Sequence, residues 1–211
     1  MKWIFCLLLL LLGLLLFVPN IFSLKNGAIT STAFMRSDSS KIVQYWVPLE
    51  KISEPLKKAV IVAEDGNFYQ HNGIDWFEVK ESLFTNVDRG RFARGASTIT
   101  MQLARNLYLS KEKSLTRKLL EVWIAWKMEH ILSKNRILEI YLNVVEWGNG
   151  IYGVGAASRH YFGKSASQLG PMESAHLAAI LPSPKKWGKH FQSENALQRR
   201  GIIARRMRRQ H

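Results

Sequence analysis

Three clusters of polar residues in this sequence have types and spacings that could do chemistry. The first is Glu64-Asp65-Gly66-Asn67-Phe68-Tyr69-Gln70-His71-Asn72-Gly73-Ile74-Asp75. Leu56, Val60 and Glu64 fall at i, i+4 and i+8, so two apolar residues and then a carboxylate share one helix face. Glu64 would end that helix on its buried side, where burial and the negative end of the helix dipole both disfavour the ionised form. A carboxyl tuned upward suits a general acid or base near neutral pH. The plainer reading is a partly buried capping or salt-bridged glutamate. His71 also has two readings, a metal ligand or an imidazole that holds the turn by hydrogen bonds.

The second cluster runs from Arg94-Gly95 through Ser97-Thr98 to Met101-Gln102 and Arg105-Asn106. Gly95 frees the backbone, and Ser97 and Thr98 sit at a helix start, where free N–H groups favour an anion. Thr98, Gln102, Arg105 and Asn106 share one polar face, which would otherwise be an ordinary capped and solvated one. No P-loop pattern is present. In the third cluster Lys113, Arg117 and Glu121 stand at i, i+4 and i+8. They are either a wet ion pair or a diphosphate clamp whose carboxylate holds a cation or organises a metal ion.

Helices must position these groups. Ser53 caps one helix, with Pro55 in its first turn, and Asp75 with Glu78 opens a second through about Val87. Ser97 opens a third to about Leu109, Ser114 a long one to about Leu132, and Ser133 the next to about Asn143. Gly148, Gly150, Gly153 and Gly155 mark a loop and a helix start. Pro171–Leu181 is a short apolar helix, and Asn195 opens a basic one carrying Arg199, Arg200, Arg205, Arg206, Arg208 and Arg209. Convincing β alternation is missing, apart from a short extended piece at Gln44–Leu49, so the body is mainly α. The basic tail suits a lipid surface or solvent better than nucleic acid.

Composition sets the frame. The 211 residues are 47% hydrophobic and 22% charged, a globular balance. One cysteine, Cys6, excludes an internal disulfide and a cysteine-based zinc cluster. A net charge of +14 favours anionic partners. Mean hydropathy is only −0.09, yet the start is nearly pure leucine. Trp3 to Val18 is an apolar run of 16 residues, extended by Ile21 and Phe22, which is long enough for the ~30 Å hydrocarbon core. Val18-Pro19-Asn20 makes a poor signal-peptidase site, so an uncleaved signal-anchor is expected. Its flanking charges, Lys2 before and Lys25 and Arg36 after, orient it weakly. The expected organisation is an anchor over 1–24, a linker over 25–50 and a catalytic domain over 51–211.

Taken together, the clusters resemble one family, the peptidoglycan glycosyltransferases, and its monofunctional branch in particular, related to the glycosyltransferase domain of class A penicillin-binding proteins. Glu64-Asp65-x-x-Phe68-x-x-His71-x-Gly73-x-Asp75 is similar to the family's first motif, and Gly95-x-Ser97-Thr98-Ile99-Thr100-x-Gln102 to its second. Arg117-Lys118-x-x-Glu121, Ile137-Leu138-Glu139-x-Tyr141-Leu142-Asn143 and Ala175-x-x-Ala178-x-x-Leu181-Pro182-x-Pro184 follow in the order of the third, fourth and fifth. Two positions depart. Met101 stands where the family usually has a first Gln, which would remove one amide from the groove, and Arg105 stands where many members carry Lys.

The resemblance implies a lysozyme-like, mainly α-helical domain behind a single transmembrane helix, lodged in the inner membrane with its catalytic part in the periplasm. It implies polymerisation of lipid II into β-1,4 glycan with release of undecaprenyl diphosphate and inversion. Glu64 is then the general base and Glu121 the second carboxylate, acting through Mg2+ or Mn2+ or through nearby cations. Ser97, Thr98, Gln102, Arg105, Lys113 and Arg117 bind substrate, with Phe68, His71 and Asn143 structural beside them. Implied partners are lipid II, the growing glycan, membrane lipid and, by analogy, other cell-wall synthases or division proteins, but no nucleic acid. Rival readings are a lytic glycosidase, which would not need the cationic face, and an inactive membrane-anchored scaffold. A bifunctional synthase would need a K-[ST]-G motif, absent here, and a longer chain.

Overall fold

The computed structural model describes Gly13 and residues 19–88, 96–112 and 114–209. The body is mainly helical, with α1 (Ala33–Ser37), α2 (Glu54–Glu64), α3 (Trp76–Asp88), α4 (Ile99–Tyr108) and α5 (Leu115–Ile131) in its first part. Then come α6 (Lys134–Val144), α7 (Gly153–Phe162), α8 (Pro171–Ile180), α9 (Pro184–Lys189) and α10 (Glu194–Arg209). Ser53, Ser114 and Ser133 each accept a backbone N–H three residues on, so three helices start where their capping serines place them. The cap of α4 is one residue later than the sequence suggests: Thr98 takes the Met101 N–H, which releases Ser97 from that task.

The residues that build the core are those at helical spacing. In α8 every residue from Ser174 to Ile180 is buried, as an all-round apolar helix must be. It packs between α2 and α10, which also touch each other. Leu56, Ala59 and Val60 form the fully buried face of α2, so Leu56 and Val60 each contribute about 1.5–3 kcal/mol and hold the register that brings Glu64 to the end of the same face. On the other side α4 packs on α5 and α6.

The stretch 25–50, expected as a linker, carries α1 and a strand joined to the body. β1 (Val43–Gln44) runs parallel to β3 (Ile151–Tyr152), which pairs antiparallel with β2 (Glu146–Gly148), giving the order β1-β3-β2. Strands of two or three residues leave no alternation to read. Side chains hold the segment down. Gln44 Nε2 donates to Ile29 O at 2.9 Å and to Asn143 O at 2.8 Å, and Asn143 exchanges hydrogen bonds with the Val47 backbone in both directions. Gly153 opens α7 with φ of +76°, where a Cβ would sit 2.4 Å from Asn143 O, so only glycine fits.

Among the described residues no helix is long and apolar enough to cross a membrane. The expected transmembrane helix, and the single-pass inner-membrane location with a periplasmic catalytic domain that rested on it, are therefore withdrawn. Hydropathy and the family resemblance carried that expectation, and the run Trp3–Val18 lies, except for Gly13, outside the described residues.

Candidate active site

The last residue of α2, Glu64, opens into a cleft of about 750 Å³ whose walls include Asp65, Ser97, Thr98, Gln102 and Arg199. Its side chain is only 11% exposed. Gln102 Nε2 donates to Glu64 Oε2 at 3.0 Å, and the amide is itself oriented by Tyr141, whose hydroxyl donates to Gln102 Oε1 at 2.9 Å. The Arg199 guanidinium lies 3.4 Å from Glu64 Oε1. Burial pushes the Glu64 carboxyl above the ordinary range, and the neighbouring Asp65 charge adds to the push. The Gln102 bond and the Arg199 and Arg105 charges oppose it, and burial outweighs them. Burial, reinforced by Glu64, lifts Tyr141 well above the usual phenol range, so it stays a donor.

The turn after Glu64 is tied at several points. Asp65 Oδ1 is 2.8 Å from His71 Nε2, and Asp65 Oδ2 accepts the Ile99 N–H at 2.9 Å. Gly73 N–H donates to His71 Nδ1, which places the imidazole proton on Nε2, facing Asp65. Thr98 Oγ1 donates to Gly73 O at 2.7 Å, and Phe68 is fully buried beneath the turn. Of the two readings of His71, the geometry matches the turn-holding one. Asp65, His71 and Asp75 do bring ligand atoms within 4.8 Å of one another. Those groups are already engaged, however, Asp75 by Asn67 Nδ2 and the Glu78 N–H.

Glu121 is 2% exposed and enclosed by cations. Arg117 Nη1 contacts its Oε1, Lys118 Nζ lies 2.9 Å from Oε2, and Arg105 Nε lies 3.9 Å from Oε1. Lys118 also donates to Ser97 Oγ at 2.8 Å, joining this cluster to the cleft wall. Burial, and then the charges of Arg105 and Arg117, bring the Lys118 ammonium down to about 8. Three cations around one carboxylate make a site for an anion. A lone carboxylate inside such a ring does not suit a divalent cation, so the expected Mg2+ or Mn2+ at Glu121 does not fit these residues.

Glu64, Ser97, Thr98 and Gln102 thus share the cleft, with Arg105, Arg117 and Glu121 adjoining it. Lys113 lies outside the described residues. Thr98 lines the cleft, but its hydroxyl is occupied by the α4 cap and by Gly73. Asn143 does not line it and instead pins residues 44–47. Met101 is 3% exposed and points into the core, so its replacement of an amide does not alter the groove. Residues of the site that the sequence reading did not assign to it are Lys118 and Tyr141, which lie within the third and fourth motifs, and Arg199 and Arg206, which it read as basic tail. Ala196, Ile203 and Met207 form the buried stripe of α10, and the seven-residue spacing of Arg199 and Arg206 places both beside that stripe at the cleft. That periodicity was the available signal.

A family model described as Transglycosylase matches residues 30–208. The chain is 47% identical to the biosynthetic peptidoglycan transglycosylase of Paraburkholderia xenovorans, over 84% of this chain and 78% of the relative. It is 49% identical to the protein of the same description from Burkholderia multivorans, over 84% and 76% respectively.

Proposed function

Because the chain belongs to the transglycosylase family and is a peptidoglycan glycosyltransferase, we propose that it polymerises lipid II into β-1,4-linked glycan strands, releasing undecaprenyl diphosphate. In this reading the acceptor 4-hydroxyl attacks the anomeric carbon of the growing donor as its bond to the lipid diphosphate breaks, and α becomes β by inversion. Glu64 takes the hydroxyl proton. Its raised pKa brings its basicity nearer to neutral pH, while Gln102 and Arg199 keep the carboxylate accessible. Arg105, Arg117 and Lys118 meet the charge that develops on the leaving diphosphate, and Glu121 holds them in place. By its spacing in the sequence Lys113 is counted with these cations in the same reading. Ser97 and Gln102 orient the sugars, and Thr98 holds the wall they stand on. No step runs through a metal ion.

The observation that carries this reading is the pairing of a buried, upward-shifted carboxyl with an adjoining cluster of cations. Hydrolysis of an uncharged glycosidic bond would need only the first. The reading includes a lysozyme-like arrangement of the helices and no transpeptidase activity, since no K-[ST]-G motif occurs.

The test is incubation of the purified protein with labelled lipid II beside Glu64→Gln. Muramidase-sensitive polymer from the first and none from a folded Glu64→Gln is the expected result. Polymer from both removes Glu64 as the base. Cleavage of preformed glycan without polymerisation would transfer the site to the glycosidase reading.

A further inference from the structure

The turn 65–75 has a second face. Gly66 lines the catalytic cleft and also a neighbouring groove of about 640 Å³. A Cβ at Gly66 would meet nothing within 4 Å, so the saddle between the two depressions is low and open. Tyr69 stands in the groove with 56% of its surface exposed. Its hydroxyl donates to Asn135 Oδ1 at 3.3 Å, and its ring meets the buried Phe68 edge-on at 5.0 Å. An exposed ring held at both ends is preorganised to stack on a flat apolar face. Asn67, Gln70 and Asn135 bring amides to the same groove, Leu49 and Ile61 provide apolar surface, and one acidic and two basic side chains complete its wall.

An aromatic platform, several amides and small apolar patches together match the chemistry of an N-acetylated sugar, which has an apolar ring face, an amide and a methyl group. A simple solvent-facing surface would not need a large aromatic clamped in place. We infer that this groove binds N-acetylhexosamine units of a glycan strand continuing from the cleft across Gly66, with Tyr69 as the stacking residue. The inference rests on the glycan-polymerising reading of the cleft and adds a holding site outside the reacting centre. Such a site would keep a growing strand attached between additions, so it would govern product length rather than the rate of each addition.

The test uses the full-length protein, chitohexaose as a soluble probe, and the variants Tyr69→Ala and Gln70→Ala. Both side chains are exposed, and melting temperatures matching the wild type confirm that the variants fold. Calorimetric titration should show Tyr69→Ala weakening chitohexaose by about tenfold and Gln70→Ala by less, the loss of one stacking contact and of one neutral hydrogen bond. With labelled lipid II, Tyr69→Ala should keep the initial rate of sugar transfer and give strands several-fold shorter. Wild-type affinity together with wild-type strand length in a folded Tyr69→Ala overturns the inference. Loss of chitohexaose binding in Tyr69→Ala, in a protein whose wild type makes no polymer, supports the groove as a glycan site while refuting the proposed reaction at the cleft.

Discussion

Replacing Tyr141 by Phe removes one oxygen and tests the connection from Tyr141 through Gln102 to Glu64. Tyr141 is fully buried, and its hydroxyl has the Gln102 Oε1 as partner at 2.9 Å. Without it, the Gln102 carbonyl is left unpaired, a cost of about 1–3 kcal/mol in stability. The amide then no longer has a reason to keep Nε2 on Glu64, where it now sits at 3.0 Å. A hydrogen bond to a charged acceptor is worth about 1.5–3 kcal/mol, and the Gln102 bond holds the Glu64 carboxyl down, so weakening it lets burial raise that carboxyl further. Tyr141→Phe loosens that bond without deleting it, so only part of its energy is lost from the ionised form. The sign is upward, because the bond favours the ionised form. The assay is kcat for lipid II polymerisation from about pH 5 to pH 9, where the acid limb reports the base in the substrate complex. The limb should move to higher pH, with about threefold loss below it, equivalent to about 0.7 kcal/mol, and little change on the plateau. A limb that superimposes on the wild type, in a variant that has lost thermal stability, would show that the hydroxyl serves packing alone and would refute the relay.

Lys118 titrates near 8, against 10.5 for the free side chain, and it is the protonated form that meets a diphosphate. Activity should therefore fall as pH rises through about 8, and Lys118→Arg, which stays charged, should carry the alkaline limb to higher pH; an unchanged limb would remove Lys118 from the anion site. Gly153→Ala places a methyl 2.4 Å from Asn143 O at positive φ, so it should cost about 3 kcal/mol and lower the melting temperature by about 6–12 °C in a chain of this size. Met101→Gln restores the residue usual in the family but buries an amide in the core, and it should destabilise the fold by about 1–3 kcal/mol without raising kcat. A gain in kcat would place residue 101 in the groove after all.

Local chemistry was readable where it acts over three or four residues. Ser53, Ser114 and Ser133 cap their helices as written, because a hydroxyl and an N–H three residues on meet by helix geometry alone. Two starts slipped: α10 begins at Glu194, before the Asn195 expected to open it, and α4 is capped by Thr98 in place of Ser97, which has a tertiary reason. The Thr98 hydroxyl is held by Gly73 O, and Ser97 is taken by Lys118 from another helix. The small sheet escaped notice because its strands are two or three residues long and β1 meets β3 across more than a hundred positions of sequence.

By itself the sequence determined the helical class, the starts of α2, α5 and α6 and the face of α2 that ends in Glu64, since each follows from periods of three to four residues. It also carried the motif order that identifies the family. Tertiary structure alone decided what stands opposite those residues. The Arg199 that faces Glu64 is 135 positions away, and no helical period relates the two. Glu121 has an i,i+4 and an i,i+3 cation legible in the sequence, but the third, Arg105, arrives from α4 and turns a surface-type pair into an enclosed anion site. Met101 was assigned to the groove by its place in a motif and to the core by packing, because one step along a helix turns a side chain through about 100°.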